Sequence, residues 1–220
     1  MRVLGVAAGA AGWVGIAWEE TVSAYHAPTI GELVDAADGP RVVAVAMPIG
    51  LPDRGHREAD VRAARALGAA VVIAPTRRAL TAADRATAAA INRDLDGGAI
   101  SKQAYDLRPR ILEVDRWVRE TPHEVVEAHP EVSFAALNGE PLVARRDTWA
   151  GARRRHKLLT RAGIHLPDDL GEPGRTATVA DVIDAAILTW TARRVVDGEA
   201  YSLPEEPEIF DDGLPCAIWV

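Results

Sequence analysis

The chain has 220 residues, 48% of them hydrophobic and 26% charged, the composition of an ordinary folded domain long enough to bury a full core. Its 25 basic and 32 acidic side chains leave a formal charge of −7, which argues against a general phosphate-backbone binder of the usual basic kind. The longest apolar runs, such as residues 42–51, are too short to cross a bilayer, so no membrane partner is expected. One cysteine, Cys216, excludes an internal disulfide framework. No cleavage-site pattern follows the first apolar run, and the sequence reads as cytoplasmic.

In chain order, residues 3–6 and 12–18 read as two strands joined by a small-residue turn, with 21–25 as a third strand of an antiparallel meander. Thr29 is placed to N-cap a helix, Glu32 stands three residues on, and Gly39-Pro40 ends the element. Residues 41–47 are an apolar, β-branched run stopped by Pro48, the pattern of a buried central strand. The middle is helical, over 57–67, 81–95 and 101–120, the last interrupted at Pro109 and carrying Ile111, Val114 and Val118 as its apolar set. Residues 123–128 return to strand. A short helix is predicted over 131–137 after Pro130, and a longer one over 147–162 up to Gly163. Residues 167–176 read as a Gly/Pro-rich loop. Thr178 caps a long helix through Val196, with Val179, Val182, Ile183, Ala186, Ile187 and Trp190 apolar. The acidic stretch 203–212 reads as surface loop and 216–220 as a final edge strand. There is no repeat, zinc spacing, P-loop or GxGxxG, and the element order is not the steady alternation of a doubly wound nucleotide fold.

Charge is spread unevenly. Arg145, Arg146, Arg153, Arg154, Arg155, Lys157 and Arg161 face a single acid, Asp147, within one short stretch. A solvated helix face and a phosphate-contacting patch account for this run equally well. Trp149 within it could stack on a base, although a tryptophan on an amphipathic helix ordinarily marks core. Trp13, Trp18, Trp117, Trp190 and Trp219 read as packing residues.

Segments along nearly the whole chain carry a resemblance: VLGV…GWVG at 3–15, MPIGLPDRG at 47–55, SKQAYDLRPRILEVD at 101–115 and EAHPEVSFAALNG at 127–139. They continue with TWAGARRR from Thr148, ADVIDAAILTWTARR at 180–194 and SLP at Ser202. Together they resemble the domain-of-unknown-function 429 family, often described as predicted ribonuclease-H-like nucleases. The resemblance implies an α/β ribonuclease-H-like fold, with a mixed sheet of about five strands flanked by helices on both faces. It would span 1–220 as a single domain with a helical insertion at roughly 57–120. The resemblance also implies acids gathered at one end of the sheet around two divalent ions, usually Mg²⁺ or Mn²⁺. Such ions activate water and neutralise the leaving oxygen of a phosphodiester.

The motif positions depart from that pattern. Where the family has Asp on the first strand, this chain reads Gly5-Val6-Ala7-Ala8, and where a second Asp precedes the IGLP turn it reads Ala46-Met47-Pro48. The paired acids opening the late helix are reduced to Ala180-Asp181. Glu127, Glu131 and Asp184 remain as candidate catalytic acids, and Glu127, Asp181 and Asp184 as candidate metal ligands. Asp181 and Asp184 share a helix face. Asp181 serves equally as a complement to the helix dipole, and Glu127 and Glu131 as hydrogen-bonding residues. Arg54, Arg57, His129, Arg153 and Arg154 are candidate substrate contacts. Against that, His129 beside Pro130 reads as structural, and Arg54, Arg57, Asp60 and Arg62 as exposed ion pairs.

The first functional reading is a catalytically impaired or repurposed member of this nuclease-like family. One alternative is a metal-dependent phosphodiesterase or nuclease working with the surviving acids and Mg²⁺ or Mn²⁺. Another is a phosphate- or nucleic-acid-binding module that uses the 145–161 arginines and needs no cofactor. The partners these readings imply are a nucleic acid or a phosphorylated small molecule.

Overall fold

Residues 1–68 and 71–220 are described by the structure, a computed structural model. They divide into two units, one of Met1–Met47, Glu120–Tyr201 and Trp219–Val220, the other of Pro48–Arg119 and Ser202–Ile218.

The first unit holds the meander and the parallel strands. β1 (Val3–Gly9) pairs antiparallel with β2 (Gly12–Trp18), and β2 antiparallel with β3 (Val22–Ala27). β4 (Val42–Val45) joins β1 in parallel and β5 (Glu124–Ala128) joins β4 in parallel, giving the order β3-β2-β1-β4-β5. This is the mixed α/β sheet that the ribonuclease-H-like resemblance implies. The parallel pairing of β1 with β4 needs a crossover, which α1 (Ile30–Ala36) supplies. The Thr29 hydroxyl accepts the Glu32 N–H at 3.3 Å and the Glu32 carboxylate accepts the Thr29 N–H at 3.3 Å, the reciprocal capping predicted from the sequence.

The two faces of this sheet have different covers. α1 lies on one, with Leu33 against Gly15. The other meets α7 (Pro130–Asn138), α8 (Trp149–Arg161) and α10 (Val179–Asp197). Its core combines Val3, Ala7, Val14, Ile16, Ala44, Val126 and Ala128 from the strands with Phe134, Leu158, Leu159, Val182, Ile183, Ala186 and Ile187 from the helices. α10 is buried over most of its length, as expected for a helix that is apolar nearly all round. It touches β1 backbone to backbone. A Cβ built on Gly5 would lie 2.6 Å from the Thr189 nitrogen and closer still to the Ala185 carbonyl oxygen. Gly5→Ala should therefore cost about 1–3 kcal/mol through overpacking, read as a lower urea midpoint at unchanged slope. An unchanged midpoint would show that the contact is looser than described.

The second unit contains α2 (Glu58–Leu67), α3 (Arg77–Leu80), α4 (Arg85–Asp94), α5 (Lys102–Asp106) and α6 (Arg108–Trp117). β6 (Ser202–Ile209) and β7 (Pro215–Trp219, all but its last residue) are neighbours there. Charged pairs hold it together. Arg77 donates to Asp115 at 2.8 and 2.9 Å and to Asp212 at 2.6 Å, and Arg119 adds a 3.0 Å bond to Asp115.

Several boundaries differ from expectation for local reasons. Asp84 caps α4 by accepting the Thr87 N–H at 2.9 Å, so the helix predicted from residue 81 starts four residues later. The 101–120 helix is two helices, and Pro109 sits in the first turn of the second, where its missing N–H is harmless. α9 (Glu172–Thr176) interrupts the predicted 167–176 loop. The 203–212 stretch is mostly β6, because pairing with β7 overrides an unfavourable acidic composition. β6 and β7 also bring the strands to seven among the described residues. No helix among those residues is long and apolar enough to cross a membrane.

Candidate functional site

In an open α/β sheet, the carboxyl ends of the parallel strands are where a ligand crevice forms. Here the register pairs Val6 with Val45 and Val45 with Glu127, and the Ala46 N–H donates to the Val6 carbonyl at 2.9 Å. One residue further on, Ala7, Ala46 and Ala128 stand side by side across three strands. Alternation along each strand turns them to the face that α10 covers. The same alternation turns Glu127 to the face of Val45, away from α10.

Asp184 is the acid that α10 brings to this end. It is only 3% exposed and directly precedes Ala185, the residue whose carbonyl abuts Gly5. Arg146 donates to its Oδ2, whereas Oδ1 is buried with no hydrogen-bond partner among the described residues. Burial pushes the carboxyl up to about 7. The Arg146 guanidinium pulls it back, Glu131 and Asp181 push it further, and Arg155 lowers it.

The other acids near α10 are engaged locally. Asp181 completes a second reciprocal cap, accepting the Thr178 N–H at 3.3 Å while its own N–H donates to the Thr178 hydroxyl at 3.1 Å. Its Oδ2 lies 3.8 Å from where a Cβ on Gly9 would be, at the end of β1. Glu131 sits in the first turn of α7, which Pro130 opens after an extended His129. Its two oxygens accept from Nη2 of Arg155 at 2.9 and 2.7 Å. Arg155, 2% exposed, also donates to the Ala144 carbonyl at 2.8 Å and lies 5.5 Å from the Phe134 ring centre.

Two hydrated divalent ions need several carboxylate oxygens converging on one point. Among the described residues no group of three or more His, Cys, Asp and Glu side chains is placed to hold a metal ion. Asp184 and Glu131 each face a guanidinium, Asp181 caps its helix, and Glu127 lies on the opposite face. This donor set does not fit the two-metal centre that the resemblance implies.

The candidate substrate contacts fall in different surroundings. His129 is half-buried at the start of α7. Arg153 and Arg154 are exposed on α8, and Arg154 donates to the Asn138 side chain at 2.7 Å. In the second unit Arg54 makes an exposed ion pair with Asp96. The pairing anticipated at the surface around Arg57 is instead enclosed. Arg57 is 0% exposed, donating to Asp60 at 2.7 and 3.2 Å and to the Ile49 carbonyl at 3.3 Å. Trp149, assigned to core by its place in an amphipathic run, is 80% exposed. Sequence reasoning did not single out Arg146 or Arg155 as partners of the acids, since nothing local marks a bond spanning 38 or 24 residues.

The family described as "Protein of unknown function (DUF429)" matches residues 5–209. No curated protein and no solved structure matches the chain.

Proposed function

The chain belongs to the DUF429 family, and from that premise we propose that it is a non-cleaving member of ribonuclease-H-like architecture. It keeps the crevice at the strand ends and binds there without hydrolysing a phosphodiester. One observation carries the reading: Ala7 and Ala46 stand next to each other near the ends of β1 and β4, the positions for which the family resemblance implies carboxylates. Each tenfold in rate corresponds to roughly 1.4 kcal/mol of transition-state stabilisation, and two missing metal ligands cost several such steps. Arg146 beside Asp184 adds to the case, since a fixed guanidinium supplies positive charge without a metal. The ligand class is a nucleic acid or a phosphorylated small molecule, with Arg153, Arg154 and His129 as contacts.

Incubation of the full chain with single- and double-stranded RNA and DNA in Mg²⁺ or Mn²⁺ should leave every substrate intact. Cleavage that disappears in Glu127→Ala or Asp184→Ala would overturn the reading. The unpartnered buried Oδ1 of Asp184 favours one alternative, a phosphodiesterase with a single shifted cation held by Asp184 and Asp181. Calorimetric uptake of Mn²⁺ at millimolar concentration, lost in Asp184→Asn, would replace the first reading with this one.

A further inference from the structure

α8 presents an exposed row that shares only Arg153 with the contacts proposed for the crevice. The helix buries Gly151, Arg155, Leu158 and Leu159, and Trp149 at its first position faces solvent, 80% exposed. At successive steps of four residues come Arg153, Lys157 and Arg161, all exposed, each step rising about 6 Å along the helix. The Arg153 guanidinium lies over the Trp149 ring, 5.7 Å from its centre. The one acid of the stretch, Asp147, is engaged by Arg145. Arg153, Lys157 and Arg161 have no carboxylate partner among the described residues, and no acid stands in the first turn of α8 to offset the positive end of its dipole. A chain with a net charge of −7 thus concentrates cations without carboxylate partners along one row that begins with a solvent-exposed indole.

We propose that this row binds single-stranded nucleic acid, with a base stacked on the Trp149 indole and successive phosphates along Arg153, Lys157 and Arg161. Aromatic faces joined to a cationic track are what sequence-tolerant strand binding requires. An unpaired base offers the flat face that the ring needs, whereas a duplex keeps its bases stacked on one another. A protein partner would need a broad apolar patch, and the neighbours of Trp149 along the row are cations. This inference rests on the binding half of the proposed function and not on the loss of cleavage.

The test uses the full chain with EDTA at low salt and two probes, an oligouridylate of about 12 nucleotides and inorganic polyphosphate of similar charge. The oligouridylate should bind, quench tryptophan fluorescence and weaken steeply as salt rises. Trp149→Ala, at an exposed position, should weaken oligouridylate binding about tenfold, which is roughly 1.4 kcal/mol, and leave polyphosphate binding unchanged. Arg153→Glu should weaken both. Equal loss or no loss for the two probes in Trp149→Ala overturns the proposal, as does absence of oligouridylate binding. Self-association that disappears in Trp149→Ala also overturns it, by making a second copy the cover for the ring. A parallel sample with Mn²⁺ run on a gel separates the two readings. A degraded oligonucleotide sinks the non-cleaving assignment and leaves the platform, and an intact but unbound one does the reverse.

Discussion

As pH rises from about 4 to about 7, the chain should lose stability on the order of 3–4 kcal/mol through Asp184, and Asp184→Asn should remove that part of the slope. The carboxyl titrates near 7 when folded and near 3.8 in its ordinary environment. Through that window the folded chain keeps the proton and the unfolded chain releases it. The stabilisation is therefore complete below the unfolded value and gone once pH passes the folded one. Burial is the main cause, Arg146 and Arg155 oppose it, and Glu131 and Asp181 reinforce it. Asparagine keeps the shape and cannot ionise, so the difference between the two pH profiles isolates this group. Urea midpoints taken across and above the window measure it. Parallel profiles for the two proteins, or a difference of opposite sign, would refute the assignment.

Asp60→Ala should destabilise the chain by about 3–5 kcal/mol, the usual cost of breaking a buried ion pair by removing one partner. Asp60 is 2% exposed and Arg57 0%. The lost carboxylate accepts from two nitrogens of Arg57 and from the Ala74 N–H at 2.9 Å. Deletion therefore affects a buried charge and a backbone donor together. Asp60→Asn retains an acceptor and should cost less, so the order wild type, Asn, Ala in urea midpoint is the expected result. If alanine were as stable as asparagine, the pair would not be holding the start of α2.

What the sequence reveals here is mostly local. The Thr29–Glu32 cap depends on residues three apart and forms as read, as does the N-cap at Thr178, which Asp181 turns into a second reciprocal cap. β4 announces itself because a strand buried on both faces is apolar throughout. The failures are contacts between distant residues. β6 is acidic and contains prolines, and only its neighbour β7 makes it a strand. Glu127 alternates with Val126 and Ala128, but which face α10 covers is not written in the strand. Trp149 is a different case, because its signal was present. It lies roughly 130° round the helix from the centre of the buried positions 151, 155, 158 and 159, so the period of 3.6 residues already placed it outside.

The seating of α10 on Gly5 has a kinetic consequence. With backbone against backbone, no side chain lies between helix and strand to serve as a cushion or a rotor. Asp181 and Asp184 therefore travel with β1 as one body. A change in the spacing between these acids and β1 needs the whole helix to shift, a microsecond-to-millisecond event, while Arg146 stays bonded to Asp184.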